Sequence, residues 1–459
     1  MKEGGTEPTI TLDRFPRQTM RLFWIMAGVF FALGILFVGG AIVIFGQPGE
    51  IEKLVARVVV KVTPDPAAKP VRLPPAEKRT AKSTKRKSTK DAPVAEHPGY
   101  VHGQRASDPS EIVVINPPKG FATRAGQLGF VTAEKIDLKT LKVSVQRLQK
   151  TGRMHAHEAM ATLRKEFRTA SADVNTLYEV AQSSRRMSRQ TGSGQSNVGP
   201  PSRVRELACW PQTGRGYGKG IRIGMIDTPV ERRHSAFLNR RLVRKSFHDP
   251  DTRPGSSVHG TAFAAMFIGN PSSEGFGGLL PEAKLYAAII FQRDEIGEAR
   301  ADSMALVRAV DWLASKRPHV VNISLAGIDN KAVRKAIARA RKQKLIFVAG
   351  AGSWGRRAAA AYPAALRSVI AITAIQHGLS PFRNANRGRY IDFAAPGVDV
   401  WTAIPGGGDY QTGSSFAATY GAAAVAVAVA SGVRRSPGDI CAHLRKFAVD
   451  AGDPDRDNT

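Results

Sequence analysis

Three side chains suited to acyl transfer lie far apart in this chain, each where an apolar strand pattern gives way to a turn or helix. Gln411-Thr412-Gly413-Ser414-Ser415-Phe416-Ala417-Ala418 reads as a tight turn handing Ser415 to the first turn of a long apolar helix. A hydroxyl attacks carbonyls only when a base takes its proton and donors meet the oxyanion that follows. A helix N-terminus supplies part of the second need, because its unpaired N–H groups and its dipole favour negative charge. His259, in Ser257-Val258-His259-Gly260-Thr261-Ala262, opens another apolar helix and is the candidate base. Asp227 ends the strand pattern Ile221-Arg222-Ile223-Gly224-Met225-Ile226, just before Thr228-Pro229, and is the candidate orienting carboxylate. Singly, each has an ordinary structural explanation: a core aspartate, a helix-end histidine, an N-cap serine. Taken in the order Asp, His, Ser, all at strand–helix junctions, they match one of the recurring triad orders.

Such groups need a scaffold that brings them to one rim. Apolar runs at Ile221–Ile226, Leu285–Ile290, Val320–Ile323, Leu345–Val348 and Val369–Ile372 read as strands, with helical patterns such as Met304–Leu313 and Ala332–Ala340 between them. Strands alternating with helices predict an α/β fold with a mostly parallel central sheet covered on both faces. Active groups on such sheets sit beyond the carboxyl ends of the strands.

Residues from about 218 to 450 resemble the subtilisin-like serine proteases, the subtilases. The stretch ending at Asp227-Thr228 is similar to the family's aspartate motif, His259-Gly260-Thr261 to its histidine motif, and Gly413-Ser414-Ser415-Phe416-Ala417-Ala418 to its serine motif. Leu280–Tyr286, Asn322–Gly327, Tyr362-Pro363-Ala364 and Phe393–Val398 fit as landmarks between them. The resemblance implies a three-layer subtilisin-like fold acting on polypeptides. Ser415 would be the nucleophile, His259 the base and Asp227 its partner. It further implies that Ser324, Leu325, Ala326 and Gly327 pair with an extended substrate, and that Ala349, Gly350 and Ala351 wall the specificity pocket. The family's oxyanion-hole asparagine aligns with Ser353, so Ser353 and the N–H of Ser415 are the expected donors; a serine arm is shorter, which implies a slower protease. Thr228-Pro229 and Thr419 are lesser departures from the family pattern.

Rival readings attach to some of the same residues. Strand Leu345–Val348 followed by Ala351-Gly352-Ser353-Trp354-Gly355 imitates the nucleophile elbow of an α/β-hydrolase, with Asp392 or Asp409 and then His443 following in that fold's order. Ser353 also motivates a degenerate subtilase fold serving as a membrane-anchored binding module. His155-Ala156-His157-Glu158 lacks the second histidine a zincin needs and reads as a solvated helix face. No metal site is assigned and no cofactor is required; the family's calcium loops are not recognisable, so calcium is left open.

The formal charge of +29 on 459 residues is placed unevenly. Lys78–Lys90 carries cations and no acid, which reads as a self-repelling linker attracted to anionic surfaces; without interleaved aromatics or a reader motif, nucleic acid is not an expected partner. Residues 22–46 contain no charge and follow Arg14, Arg17 and Arg21, which predicts a transmembrane signal anchor with residues 1–21 in the cytoplasm and the catalytic part outside the cytoplasmic membrane. Residues 47–126, basic and rich in Pro and Lys, are expected as linker. Residues 127–182 show a strand–helix–strand pattern, a small α+β unit where subtilases carry an inhibitory prodomain. Residues 183–204 then form a cleavable linker, and 205–459 the catalytic domain. Cys209 and Cys441 form one disulfide or remain two buried thiols.

Overall fold

The computed structural model describes residues 107–180, 208, 210, 217–271, 275–294, 297–376 and 379–449, together with the backbone of three short strands nearer the N-terminus. The basic tract 78–90, the linker 183–204 and Cys209 lie outside the described residues. The chain divides into two units, Met1–Lys53 and Leu54–Thr459.

In the first unit, Ile35–Val38 (β1) pairs antiparallel with Ala41–Ile44 (β2), with Val38 opposite Ala41. This corrects the expected unbroken helix over 22–46 at residues 35–44; the remainder of that stretch lies outside the described residues. The local chemistry accounts for it. Ile, Val and Phe suit a pleated strand, and Gly39-Gly40 is a sequence that two-residue hairpin connections favour. Among the described residues no helix is long and apolar enough to cross a membrane.

The second unit holds a small subdomain and a large one. Val60–Lys61 (β3) adds antiparallel to an edge of the large sheet. The small subdomain runs Ser107–Ile115 (β4), Phe121–Gln127 (α1), Phe130–Leu138 (β5), Val143–Lys150 (β6), Ala156–Glu166 (α2) and Ser171–Val180 (β7). It therefore begins at Ser107, inside the stretch expected as linker, and not at 127. The reason is that β4 lacks alternation over its first half, where Ser107-Asp108-Pro109-Ser110-Glu111 includes a proline and two acids. Its register shifts between Asp108 and Ile112. Only Ile112-Val113-Val114-Ile115 carries an apolar signal. Period-two geometry sends those four residues to two cores. Ile112 and Val114 pack with Phe121, Met160 and Leu163 of the subdomain's own helices, whereas Val113 and Ile115 join the core under the large subdomain's helices.

The large subdomain continues with Arg222–Asp227 (β8), Arg241–Ser246 (β9), Val258–Ile268 (α3), Lys284–Ile289 (β10), Gln292–Arg293 (β11), Ala299–Asp302 (β12) and Ser303–Lys316 (α4). Val320–Ile323 (β13), Leu325–Ala326 (β14), Lys331–Lys342 (α5), Phe347–Gly350 (β15), Val369–Ile375 (β16) and Phe393–Pro396 (β17) follow. Val400–Ile404 (β18), Gly407–Gln411 (β19), Ser414–Ala430 (α6) and Pro437–Arg445 (α7) complete it. The central sheet has the order β3-β17-β16-β15-β13-β8-β10-β9 and is parallel apart from β3. One face packs on α3, α6 and α7, the other on α4 and α5, giving three layers. Helix α6 is buried from Ser414 to Val429, as a helix apolar on all sides must be. The winding direction reverses around β8: later strands β13, β15, β16 and β17 lie on one side of it, β10 and β9 on the other. Crevices at such reversals, above the carboxyl ends, are where open α/β sheets place their chemistry.

Candidate active site

Asp227 is the last residue of β8 and is fully buried. Its Oδ1 accepts from the N–H of Thr228 at 2.6 Å and meets His259 Nδ1 at 2.8 Å. A carboxylate can only accept, so the imidazole proton sits on Nδ1, and Nε2 is left as an acceptor. Ser415 Oγ stands 3.3 Å from that Nε2 and donates to it. The three groups expected from the sequence are thus brought into one hydrogen-bonded line, supplied by β8, α3 and α6. Phe263 packs its ring edge-on against the imidazole with centroids 4.2 Å apart, and Phe416, 4.6 Å from Phe263, adds a second edge contact at 5.7 Å. These contacts brace the ring plane.

Local sequence explains why each element ends where it does. Pro229 cannot continue the β8 ladder. Thr228, one residue after the carboxylate, accepts from the N–H of Gly260 at 2.7 Å through its hydroxyl, and so ties the start of α3 to the end of β8. The sequence marked Thr228 only as a departure from the family pattern; its place between Asp227 and a proline was the signal for this role. Asp227 Oδ2 is buried with no hydrogen-bond partner among the described residues.

Around Ser415 the first turn of α6 is gripped from below. Ser353, expected as an oxyanion donor, lies beside the site, but its Oγ accepts from the N–H of Ser414 at 3.0 Å and approaches Ser414 Oγ at 3.3 Å. Ser414 Oγ in turn accepts from the N–H of Gly352 at 2.9 Å. The pair forms a clamp between the loop after β15 and the helix. The N–H of Phe416 is taken by Gly413 O. Ser415, as the second residue of the helix, presents an N–H with no carbonyl a turn behind it. Ala349 and Gly350 close β15 directly beneath this turn: a Cβ on Gly350 would stand 2.9 Å from Ser415 N. Ala351 O accepts from the hydroxyl of Tyr390 at 2.7 Å, which fixes the following loop.

The rival elbow does not assemble. The hydroxyl of Ser353 is held by Ser414, Asp392 accepts from the N–H of Ala371, and the ring of His443 in α7 meets Phe447 edge to face. Among the described residues no group of three His, Cys, Asp or Glu side chains is placed to hold a metal ion; Glu158 accepts instead from the N–H of His155 at the start of α2. Cys441 is buried in the core of α7, where burial and the Asp392 charge push its thiol up to about 12.

The expected substrate edge is occupied. Strand β7 pairs antiparallel with β14, setting Val180 opposite Leu325 and Glu179 opposite Ala326. On its other side it pairs with β12, with Tyr178 opposite Ala301 and Leu177 opposite Asp302. Gly327 leaves room for Tyr178, since a Cβ there would fall 2.7 Å from the ring. The sheet runs β11-β12-β7-β4-β6-β5 without interruption from one subdomain into the other. Polar side chains lock the join: Asn330 donates to Val174 O at 3.0 Å and to Thr176 Oγ1 at 2.9 Å, and Asn175 Oδ1 accepts from the N–H of Ser303.

A profile of the Subtilase family matches residues 218–458. The minor extracellular protease Epr of Bacillus subtilis (strain 168) is 28% identical over 243 residues, covering 52% of this chain but 37% of that protein. The major intracellular serine protease of the same organism is 28% identical over 223 residues, 46% of this chain and 68% of that protein. Subtilisin E, also from Bacillus subtilis, is 30% identical over 222 residues, 46% of this chain and 56% of that protein. Among solved structures, fervidolysin from Fervidobacterium pennivorans, a keratinolytic enzyme related to subtilisin, is similar with a TM-score of 0.55 at 16% identity, covering 72% of this chain and 56% of that one. At that identity the likeness speaks for the fold.

Proposed function

The chain belongs to the subtilase family, and on that premise we propose that it is a serine endopeptidase working through Asp227, His259 and Ser415. The observation that carries the reading is the hydrogen-bonded line from carboxylate to imidazole to hydroxyl. Ser415 Oγ attacks the substrate carbonyl while its proton passes to His259 Nε2, and Asp227 stabilises the imidazolium. The oxyanion of the tetrahedral intermediate is met by the N–H of Ser415, backed by the positive end of α6. Collapse returns the proton from Nε2 to the leaving amine and leaves an acyl ester on Ser415. Water, deprotonated by the same imidazole, then hydrolyses that ester.

The small subdomain serves as an inhibitory segment. Its last strand lies along Leu325-Ala326, the edge expected to pair with substrate, so the chain as made is a zymogen that becomes active after cleavage beyond Val180. Location is read from composition: the uncharged stretch 22–46 after Arg14, Arg17 and Arg21 supports attachment to the cytoplasmic membrane with the catalytic part outside. Extraction of the chain from membranes by alkaline carbonate would oppose that attachment. For the chemistry, a fluorophosphonate probe should label Ser415 and lose its target in Ser415→Ala, and the same substitution should stop conversion of the full-length chain in a pulse-chase. A folded chain that takes no label and is never clipped would refute the assignment.

A further inference from the structure

Glu179 is the residue of β7 that faces Ala326 on β14, and the β12 register, continued by one residue from Ala301 opposite Tyr178, sets it across from Arg300. The two side chains form an ion pair, Arg300 Nη1 to Glu179 Oε1. The arginine side chain is 9% exposed and the glutamate 31%, so the cation belongs to the cleft wall and the acid to the strand laid into it. On its inner side Arg300 Nε reaches Asp294 Oδ2 at 3.3 Å. Strand β11 holds Arg300 in place by pairing Gln292 against it. Directly opposed charges on neighbouring strands attract, and a guanidinium this buried strongly favours a bound carboxylate over a neutral group.

Register leaves little freedom in which residue meets Arg300. Tyr178, one position earlier, is fully buried and rests on Gly327, while Val180, one later, faces Leu325. A one-residue slip would turn every side chain of the strand to the opposite face, moving the acid away from Arg300 and the aromatic ring out of its apolar slot. When β7 departs, Arg300 keeps Asp294 but loses its second carboxylate, and the place of Glu179 is open to the next strand.

We propose that Arg300 is a specificity-determining residue of this protease: the strand position opposite Ala326 selects an acidic side chain, so the substrates are extended polypeptide segments with Glu or Asp there. The inference rests on the reading of the site as a protease whose cleft β7 occupies. Two internally quenched peptides reproducing residues 173–188, one with Glu and one with Gln at the position of Glu179, are compared on the purified full chain after its self-conversion. The Glu peptide should show about tenfold higher kcat/KM, mostly through KM, as expected for a hydrogen bond to a charged group. That ratio should fall to about one in Arg300→Gln and below one in Arg300→Glu, where the introduced carboxylate repels the Glu peptide. Equal kcat/KM of the unaltered enzyme on both peptides, measured without any variant, overturns the selectivity and leaves the protease standing. Failure to cleave either peptide, with no fluorophosphonate labelling, overturns the protease reading and the selectivity with it.

Discussion

Gly350→Ala tests whether the catalytic serine is placed by contact with the strand beneath it. A Cβ at position 350 would lie 2.9 Å from Ser415 N and 3.0 Å from both the carbon and the oxygen of the Ser414 carbonyl. Carbon atoms in ordinary contact stand roughly 3.5–4.0 Å apart, so the methyl is short of space by on the order of half an ångström against three backbone atoms. Backbone of a buried helix cannot swing aside as a side-chain tip does. It is also held by the Ser353–Ser414 clamp. Overpacking of this kind costs about 1–3 kcal/mol of stability. The displacement falls on the residue whose Oγ sits 3.3 Å from Nε2 of His259. Since a misplacement of about 1 Å can cost roughly 10²-fold, a shift near half that size should lower kcat by about tenfold or more. Steady-state kinetics on a peptide ester should show the loss in kcat with KM little changed, and thermal unfolding should show a Tm lower by a few degrees. A variant with kcat within twofold of the parent and an unaltered Tm would refute the contact argument.

Asp227→Asn should leave the fold intact but put the imidazole proton on the wrong nitrogen, lowering kcat by about 10⁴-fold; a loss under tenfold in peptide-ester hydrolysis would contradict the role given to the carboxylate. Ser353→Ala removes the acceptor of the Ser414 N–H and should cost about 1–3 kcal/mol of stability by leaving a buried donor unpaired, read by urea unfolding, together with a fall in kcat; unchanged unfolding would show that the clamp carries no load. Burial raises the carboxyl of Glu111 above its ordinary 4.5, against the opposing pull of Asn175 and Arg147 and with help from Asp108 and Asp302. Burial likewise raises Asp302 above its ordinary 3.8, opposed by the N–H of Ala305, Asn175, Arg147 and the N–H of Met304. An acid whose pKa rises on folding holds its proton more firmly in the folded state, so this contribution to stability is complete below the ordinary values and is lost as pH climbs through the raised ones. The stability that the Ser415→Ala chain gains from these two acids, read by urea unfolding against its Glu111→Gln and Asp302→Asn variants, should therefore shrink as pH rises from about 4 towards neutrality. A contribution that grows over that range would reverse the sign.

The parallel sheet was readable because strands buried on both faces are continuous apolar runs, and Ile223–Ile226 and Val369–Ile372 carry that signal without interruption. Asp227, which begins the hydrogen-bonded line to His259 and Ser415, was readable for a related reason: a polar residue that ends such a run is conspicuous. What escaped was set by partners distant in the chain. Strand β4 hides its role because Glu111 is buried inside it, held by Arg147 and Asn175, which no local pattern announces. Ser353 was identified by position, yet the direction of its hydroxyl depends on a serine 61 residues further on. The stretch 22–46 is apolar enough for a membrane helix, while its Gly-Gly pair and β-branched residues equally suit the hairpin found at Ile35–Ile44. Composition alone does not separate those outcomes.

Strand β7 is an interior member of a seven-stranded sheet, hydrogen-bonded to β4 of the small subdomain and to β12 and β14 of the large one. Scission of the peptide chain just beyond it breaks no ladder, so a nicked molecule stays whole until those rungs unzip. Unzipping then bares a raw margin on each fragment. On the proposed reading, that margin of the catalytic fragment is where the next polypeptide would dock, and turnover would keep covering it. The liberated fragment has no such fate: an uncapped strand margin invites self-pairing or digestion. Whichever of those removes it would make awakening irreversible, and would place the timing of the switch in the parting of two halves of one sheet as much as in the cut.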